Sequence, residues 1–233
     1  MVPLNDENPT RLTPYVTYVF IGINIFVFLY QIGLGQAGLE EFFRTWAVVP
    51  ARLSASFAGQ VSPAVWITLF TAQFMHGGIL HLGGNMLYLW VFGNNIEDKL
   101  GHLRYIVFYL ACGVLASLSQ WFFSQASTVP SLGASGAIAG VMGAYILRFP
   151  KARILTLIPI LFFLTTIRIP AIVFLGIWFI QQAFYGIASL SVSTTMESGG
   201  IAYWAHAGGF VFGALLGPMF GLFSDRGPGP RRY

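Results

Sequence analysis

Residues 130–140 read "PSLGASGAIAG". They place one hydroxyl, Ser135, between Gly133 and Gly136 at the first turn of an apolar run over 134–149. The surrounding chain has 233 residues, 56% of them hydrophobic and 9% charged. A soluble domain carries roughly 25% charged residues, so this chain cannot clothe itself in a polar surface. The apolar runs do not alternate with polar residues as barrel strands do. The composition therefore points to an all-α polytopic membrane protein.

Working outward from 134–149, five further apolar segments stand at 15–34, 81–96, 104–123, 169–186 and 201–222. Backbone polar groups in hydrocarbon must pair internally, so each segment is expected as a helix and the whole as a six-helix bundle. The expected division is a short tail over 1–14, a six-span domain over 15–222 and a second tail over 223–233. Residues 1–14 lack a basic stretch and a small-residue cleavage site, so no cleaved signal peptide is expected. The first loop, 35–80, is too apolar to float in water. Within it "EEFFRTWAVVPARL" (40–53) reads either as an interfacial element with flanking Arg44 and Arg52 or as a buried loop helix. Residues 154–167, "ILTLIPILFFLTTI", are too short to span and are expected to be re-entrant or interfacial. With six spans, ten of the twelve Lys and Arg fall on the side that holds both termini, which predicts cytoplasmic N- and C-termini. The scattered cations form no nucleic-acid patch, and the single Cys112 excludes an internal disulfide.

That topology brings polar residues from three spans to one depth. Ser135 opens the fourth span, His206 of "AYWAHAGGF" (202–210) lies in the start of the sixth, and His81 and Asn85 of "HGGILHLGGN" (76–85) lie in the start of the second. A lone serine in a membrane helix usually bonds to its neighbours or its own backbone. An intramembrane histidine points to function. Together they fit a nucleophile, a base and oxyanion donors. Glycines 136, 140 and 143 on one helix, and 209, 213 and 217 on the other, let the two backbones approach closely enough for Ser135 to reach His206. Gly133 keeps bulk away from the hydroxyl, while backbone N–H groups at the helix start, including that of Ser135, face an incoming oxygen. No acid is spaced to orient His206, so a dyad is expected rather than a triad, with Glu197 a weak candidate for a third member. His76 is expected to point away from His81 in a structural role, and His102 to lie on the other side of the membrane. The loop 187–200 is small and polar and could cover the site. No cofactor is expected. A metal site built on His76, His81 and His206 lacks both an H-E-x-x-H motif and a nearby carboxylate.

The three motifs "HGGILHLGGN", "GASG" and "AHAGGFVFG", in this order on separate spans, resemble those of the rhomboid intramembrane serine proteases. The resemblance covers residues 70–220. It implies a Ser135–His206 dyad, an oxyanion site from His81, Asn85 and the Ser135 backbone, and a lateral gate near the fifth span. It further implies single-pass membrane proteins as substrates, cut near the outer boundary after a small residue. The compact form suggests a prokaryotic plasma membrane. The alternative is a rhomboid-like protein that binds membrane helices without cleaving them. Two departures stand out: the family often has a Tyr one turn after the nucleophile, where this chain has Ala139, and 35–80 lacks a Trp-Arg pair.

Overall fold

The computed structural model describes residues 1–160, 163–190 and 201–224. Six long helices coincide with the six apolar segments: α1 (Tyr15–Ile32), α5 (Ile79–Leu100), α6 (His102–Phe123), α7 (Ser135–Arg148), α8 (Ala171–Ser189) and α9 (Tyr203–Met219). Between α1 and α5 run α2 (Gly35–Trp46), α3 (Pro50–Phe57) and the one-turn α4 (Thr68–Thr71). Among the described residues three helices, α1, α6 and α8, are long and apolar enough to cross a membrane.

The centre of the bundle is α7. Every residue from Gly136 to Tyr145 is buried, because a helix made of Gly, Ala and a few larger apolar side chains has no polar face to turn outward. Against it lies α9, at a separation that only glycine permits. A Cβ at Gly209 would run into the Gly136 carbonyl, one at Gly213 into that of Gly140, and one at Gly143 into that of Phe210. The glycine spacing thus sets the distance between the helices that carry Ser135 and His206.

The expectation of an all-α chain is corrected by a small sheet. Of the stretch 154–167, expected as re-entrant or interfacial, the residues before and after 161–162 lie in two antiparallel strands, β2 (Arg153–Ile160) and β3 (Phe163–Pro170). The stretch 1–14, expected as a tail, contributes β1 (Val2–Asp6), which pairs antiparallel with β2. The physical reason lies in the β-branched residues: "RILTLIPI" and "FLTTIRIP" fit a pleated surface better than a helix. Along β2, Ile154 and Thr156 are fully buried while Arg153 and Pro159 are exposed, the period of two that a strand produces. Asp6 ties the sheet to the bundle, its Oδ2 accepting hydrogen bonds from Asn95 Nδ2 at 2.8 Å and Tyr145 O–H at 2.5 Å.

Long-range hydrogen bonds hold both ends of α1. Pro14 offers its helix start no side-chain cap. Instead the buried Glu97, from the last turn of α5, accepts from the Val16 and Thr17 N–H groups at 2.9 and 2.8 Å and from the Thr17 hydroxyl at 2.7 Å. A carboxylate at the positive end of a helix dipole is doubly placed. At the other end the Gln31 amide pairs with the His76 backbone, donating to its carbonyl at 2.8 Å and accepting from its N–H at 3.1 Å.

The stretch 40–53 is divided by the fold. It takes in the later part of α2, a helix with no buried residue, and the start of α3, where Pro50 and Leu53 are buried. α3 docks on α6, with Trp121 Nε1 donating to Ser54 Oγ at 3.0 Å and the Phe57 and Trp121 rings stacked at 5.3 Å.

Candidate functional site

The chain reaches Ser135 through a loop pinned on two sides. Val48 and Ser131 exchange backbone hydrogen bonds at 3.0 and 2.7 Å, and Gly133 N–H donates to the Ala72 carbonyl at 2.9 Å. Gly133 has φ +127°, which L side chains rarely adopt, and a Cβ there would lie 2.9 Å from His81 Nε2. Glycine is required twice over at this position. α7 then begins at Ser135 itself, so the N–H groups of its first turn have no partner within the helix.

Ser135 Oγ lies 2.8 Å from His206 Nε2. Residues 71 positions apart in the chain are joined by a hydrogen bond across the glycine-lined α7–α9 contact. This brings together the pair singled out in the sequence, with Gly136 and Gly140 on one helix facing Gly209 and Gly213 on the other.

His81 and Asn85 lie in the first two turns of α5. The Gly77 N–H approaches His81 Nδ1 at 3.4 Å, and His81 Nε2 sits over the Gly133 turn. With Nδ1 accepting, the His81 proton is on Nε2, on the side of Ser135. Asn85 is buried and its Nδ2 has no hydrogen-bond partner among the described residues. A buried amide donor left open is expected where a ligand oxygen is to arrive. His76 departs from expectation: its ring does not point away from His81 but meets it edge-on with centroids 5.1 Å apart. Burial, with His81 as a lesser cause, pushes the His76 imidazole down to about 3. His102 lies elsewhere, its Nδ1 2.6 Å from the Glu97 carboxylate at the far end of α5.

Two residues at the site were not read from the sequence. Gln182 Oε1 lies 2.8 Å from His206 Nδ1, and the Trp178 ring meets the imidazole at 5.9 Å between centroids, tilted by 36°. Both come from α8, four residues apart and so on one face. Together they hold the His206 ring, while Ala139 is fully buried in α7. The signal was available, since glutamines 181 and 182 interrupt an otherwise apolar run, and intramembrane polar groups are costly unless used. Most of the expected covering loop, residues 191–200 with Glu197, lies outside the described residues. A cavity of about 20 Å³ opens beside Ser135, lined by small residues including Ala72, Gly113, Ala116, Ser117 and Gly133. It has room for one water molecule or a small side chain.

Apolar helices of membrane-crossing length around a buried polar cluster define a helical membrane protein. The rhomboid domain model matches residues 63–223, so the chain belongs to the rhomboid family. It is similar to rhomboid protease GluP of Bacillus subtilis, 32% identical over 91% of this chain and 37% of that protein. It is also similar to the mitochondrial rhomboid protein 1 of Saccharomyces cerevisiae, 30% identical over 87% of this chain and 52% of that one. RHOMBOID-like protein 1 of Arabidopsis thaliana is 31% identical over 72% of this chain and 39% of its own length. The chain thus spans between about a third and a half of the length of these relatives.

Proposed function

We propose that this protein is an intramembrane serine endopeptidase working through a Ser135–His206 dyad on single-pass membrane proteins. The observation that carries the reading is the 2.8 Å contact between Ser135 Oγ and His206 Nε2, within the reach that a nucleophile and its base require. Ser135 Oγ attacks the peptide carbonyl carbon as His206 Nε2 takes its proton. The Ser135 N–H, the open Asn85 amide and His81 Nε2 are arranged to receive the oxygen as it becomes negative, and each such donor contributes about 10²–10³ in rate. His206 then returns the proton to the departing amine. Water, activated by the same imidazole, releases the acyl group and restores Ser135. The small-lined cavity beside Ser135 suits a small side chain before the cut bond.

In this reading all six long helices cross a plasma membrane, both termini are cytoplasmic, and the Ser135 end of the bundle faces outward. The amphipathic α2 and its neighbour α3 lie at the outer interface of the bilayer. The decisive experiment treats the full chain in detergent with a fluorophosphonate, and separately with a single-pass reporter whose membrane helix unwinds easily. The wild type is expected to be labelled and to cleave; Ser135→Ala is expected to do neither, and His206→Ala to lose at least 10³-fold. Labelling of Ser135→Ala would remove Ser135 as the nucleophile. A wild type that binds the reporter without labelling or cleavage would instead make the protein a membrane-helix binder.

A further inference from the structure

We infer that Gln182 is the positioning residue of His206, selecting the ring tautomer that can act as a base, and that this selection is made by α8 rather than by the nucleophile's own helix. The inference rests on the peptidase reading and deepens it. A neutral imidazole has one N–H and one lone pair. With the Gln182 carbonyl oxygen 2.8 Å from Nδ1, the proton belongs on Nδ1, and the Nε2 lone pair faces the Ser135 hydroxyl 2.8 Å away. Without that acceptor, the proton can sit on Nε2, which then donates to Ser135 and cannot take its proton.

The arrangement around this bond makes it a property of the α8–α9 contact. The two helices meet in successive rungs. The Phe179 ring stacks on Phe210 at 4.8 Å, Gln182 bonds His206, and a Cβ on Gly186 would meet the Trp204 ring at 3.3 Å. Trp178 adds a second hold on the imidazole from the same face of α8. Gln182 is itself buried, so water does not readily take its place. The base is therefore aligned only while α8 is seated on α9, and displacement of α8 leaves His206 without its acceptor.

The test measures the rate of fluorophosphonate labelling at Ser135 against pH, with thermal unfolding in parallel, for the full-length wild type, Gln182→Leu and Gln182→Glu. Gln182→Leu keeps the bulk and loses the acceptor; labelling is expected to fall about 10²-fold, the low end of what a positioned base supplies, while unfolding changes little. Gln182→Glu can only accept. It is expected to keep labelling at alkaline pH and to move the acid limb of the rate profile upward by about one pH unit, because a carboxylate beside the ring favours its protonated form. A loss of labelling in a folded Gln182→Leu is the readout a merely structural glutamine would not produce, and the Gln182→Glu shift, which requires position 182 to face the ring, stands if the leucine variant fails to fold. A folded Gln182→Leu labelled at the wild-type rate, or a Gln182→Glu profile that overlays the wild type, overturns the assignment. A wild type that is not labelled at Ser135 overturns the peptidase reading first, and the tautomer assignment with it.

Discussion

The two ends of α5 use polar side chains in opposite ways. In the last turn, the Glu97 carboxylate is fully buried and saturated, accepting from two backbone N–H groups and the Thr17 hydroxyl and meeting the His102 ring. Next to it Asp98 accepts from the Arg11 and Leu12 N–H groups, both at 2.8 Å. In the first two turns, Asn85 is also buried, yet its Nδ2 meets no partner among the described residues. A buried polar group without a partner costs free energy. The saturated end is anchorage, and under the proposed peptidase reading the open end is a place kept ready for another molecule's oxygen.

The contrast can be broken in three places. Asn85→Ala carries the largest expected effect: cleavage and labelling fall about 10²–10³-fold, while unfolding is unchanged or slightly later, because an open buried donor has been removed. Loss of stability alongside activity would make Asn85 an anchor like Glu97. Glu97→Gln is expected to do the reverse. Its amide nitrogen cannot accept from Val16 or Thr17, so the protein loses about 3 kcal/mol, read as an earlier thermal transition, while labelling per folded molecule stays at the wild-type level. A selective drop in labelling would show that the two ends are coupled.

The smallest effect concerns Asp6, which joins the sheet to Asn95 near the saturated end. Burial is the main influence on this carboxyl and raises it from 3.8 to about 6, against the opposing hydrogen bond from Tyr145. A raised acid favours the folded state when it is protonated. Its contribution is full below about pH 4 and is lost as pH rises through about 6. Asp6→Asn mimics the neutral acid at every pH. Its unfolding midpoint should match the wild type near pH 4 and exceed it slightly near pH 7.5. A difference that does not grow with pH would place Asp6 in a less buried setting.

How legible the molecule was in its sequence varied with how local each feature is. The apolar segments at 15–34 and 104–123 announced α1 and α6 because length and hydropathy are read without knowing any neighbour. Ser135, His206 and Asn85 stood out because polar groups in apolar helices are few. The strand pair escaped: "ILTLIPILFFLTTI" reads as one apolar run until its first half pairs with its second and with Val2–Asp6. Its period of two shows in the burial of Ile154 and Thr156, not in an alternation of apolar and polar residues along the sequence.

Sequence alone determined the apolar helices, the glycine rows on α7 and α9, and the residue types of the site, since each follows from spacing along one segment. Only the tertiary structure decided that Gln182 of α8 meets the far nitrogen of His206, that Glu97 caps a helix 80 residues earlier, and that the N-terminal residues complete a sheet. These are pairings between segments distant in the chain. Hydrogen bonds of that kind are chosen by which surfaces come to rest together, which no periodicity within a segment records.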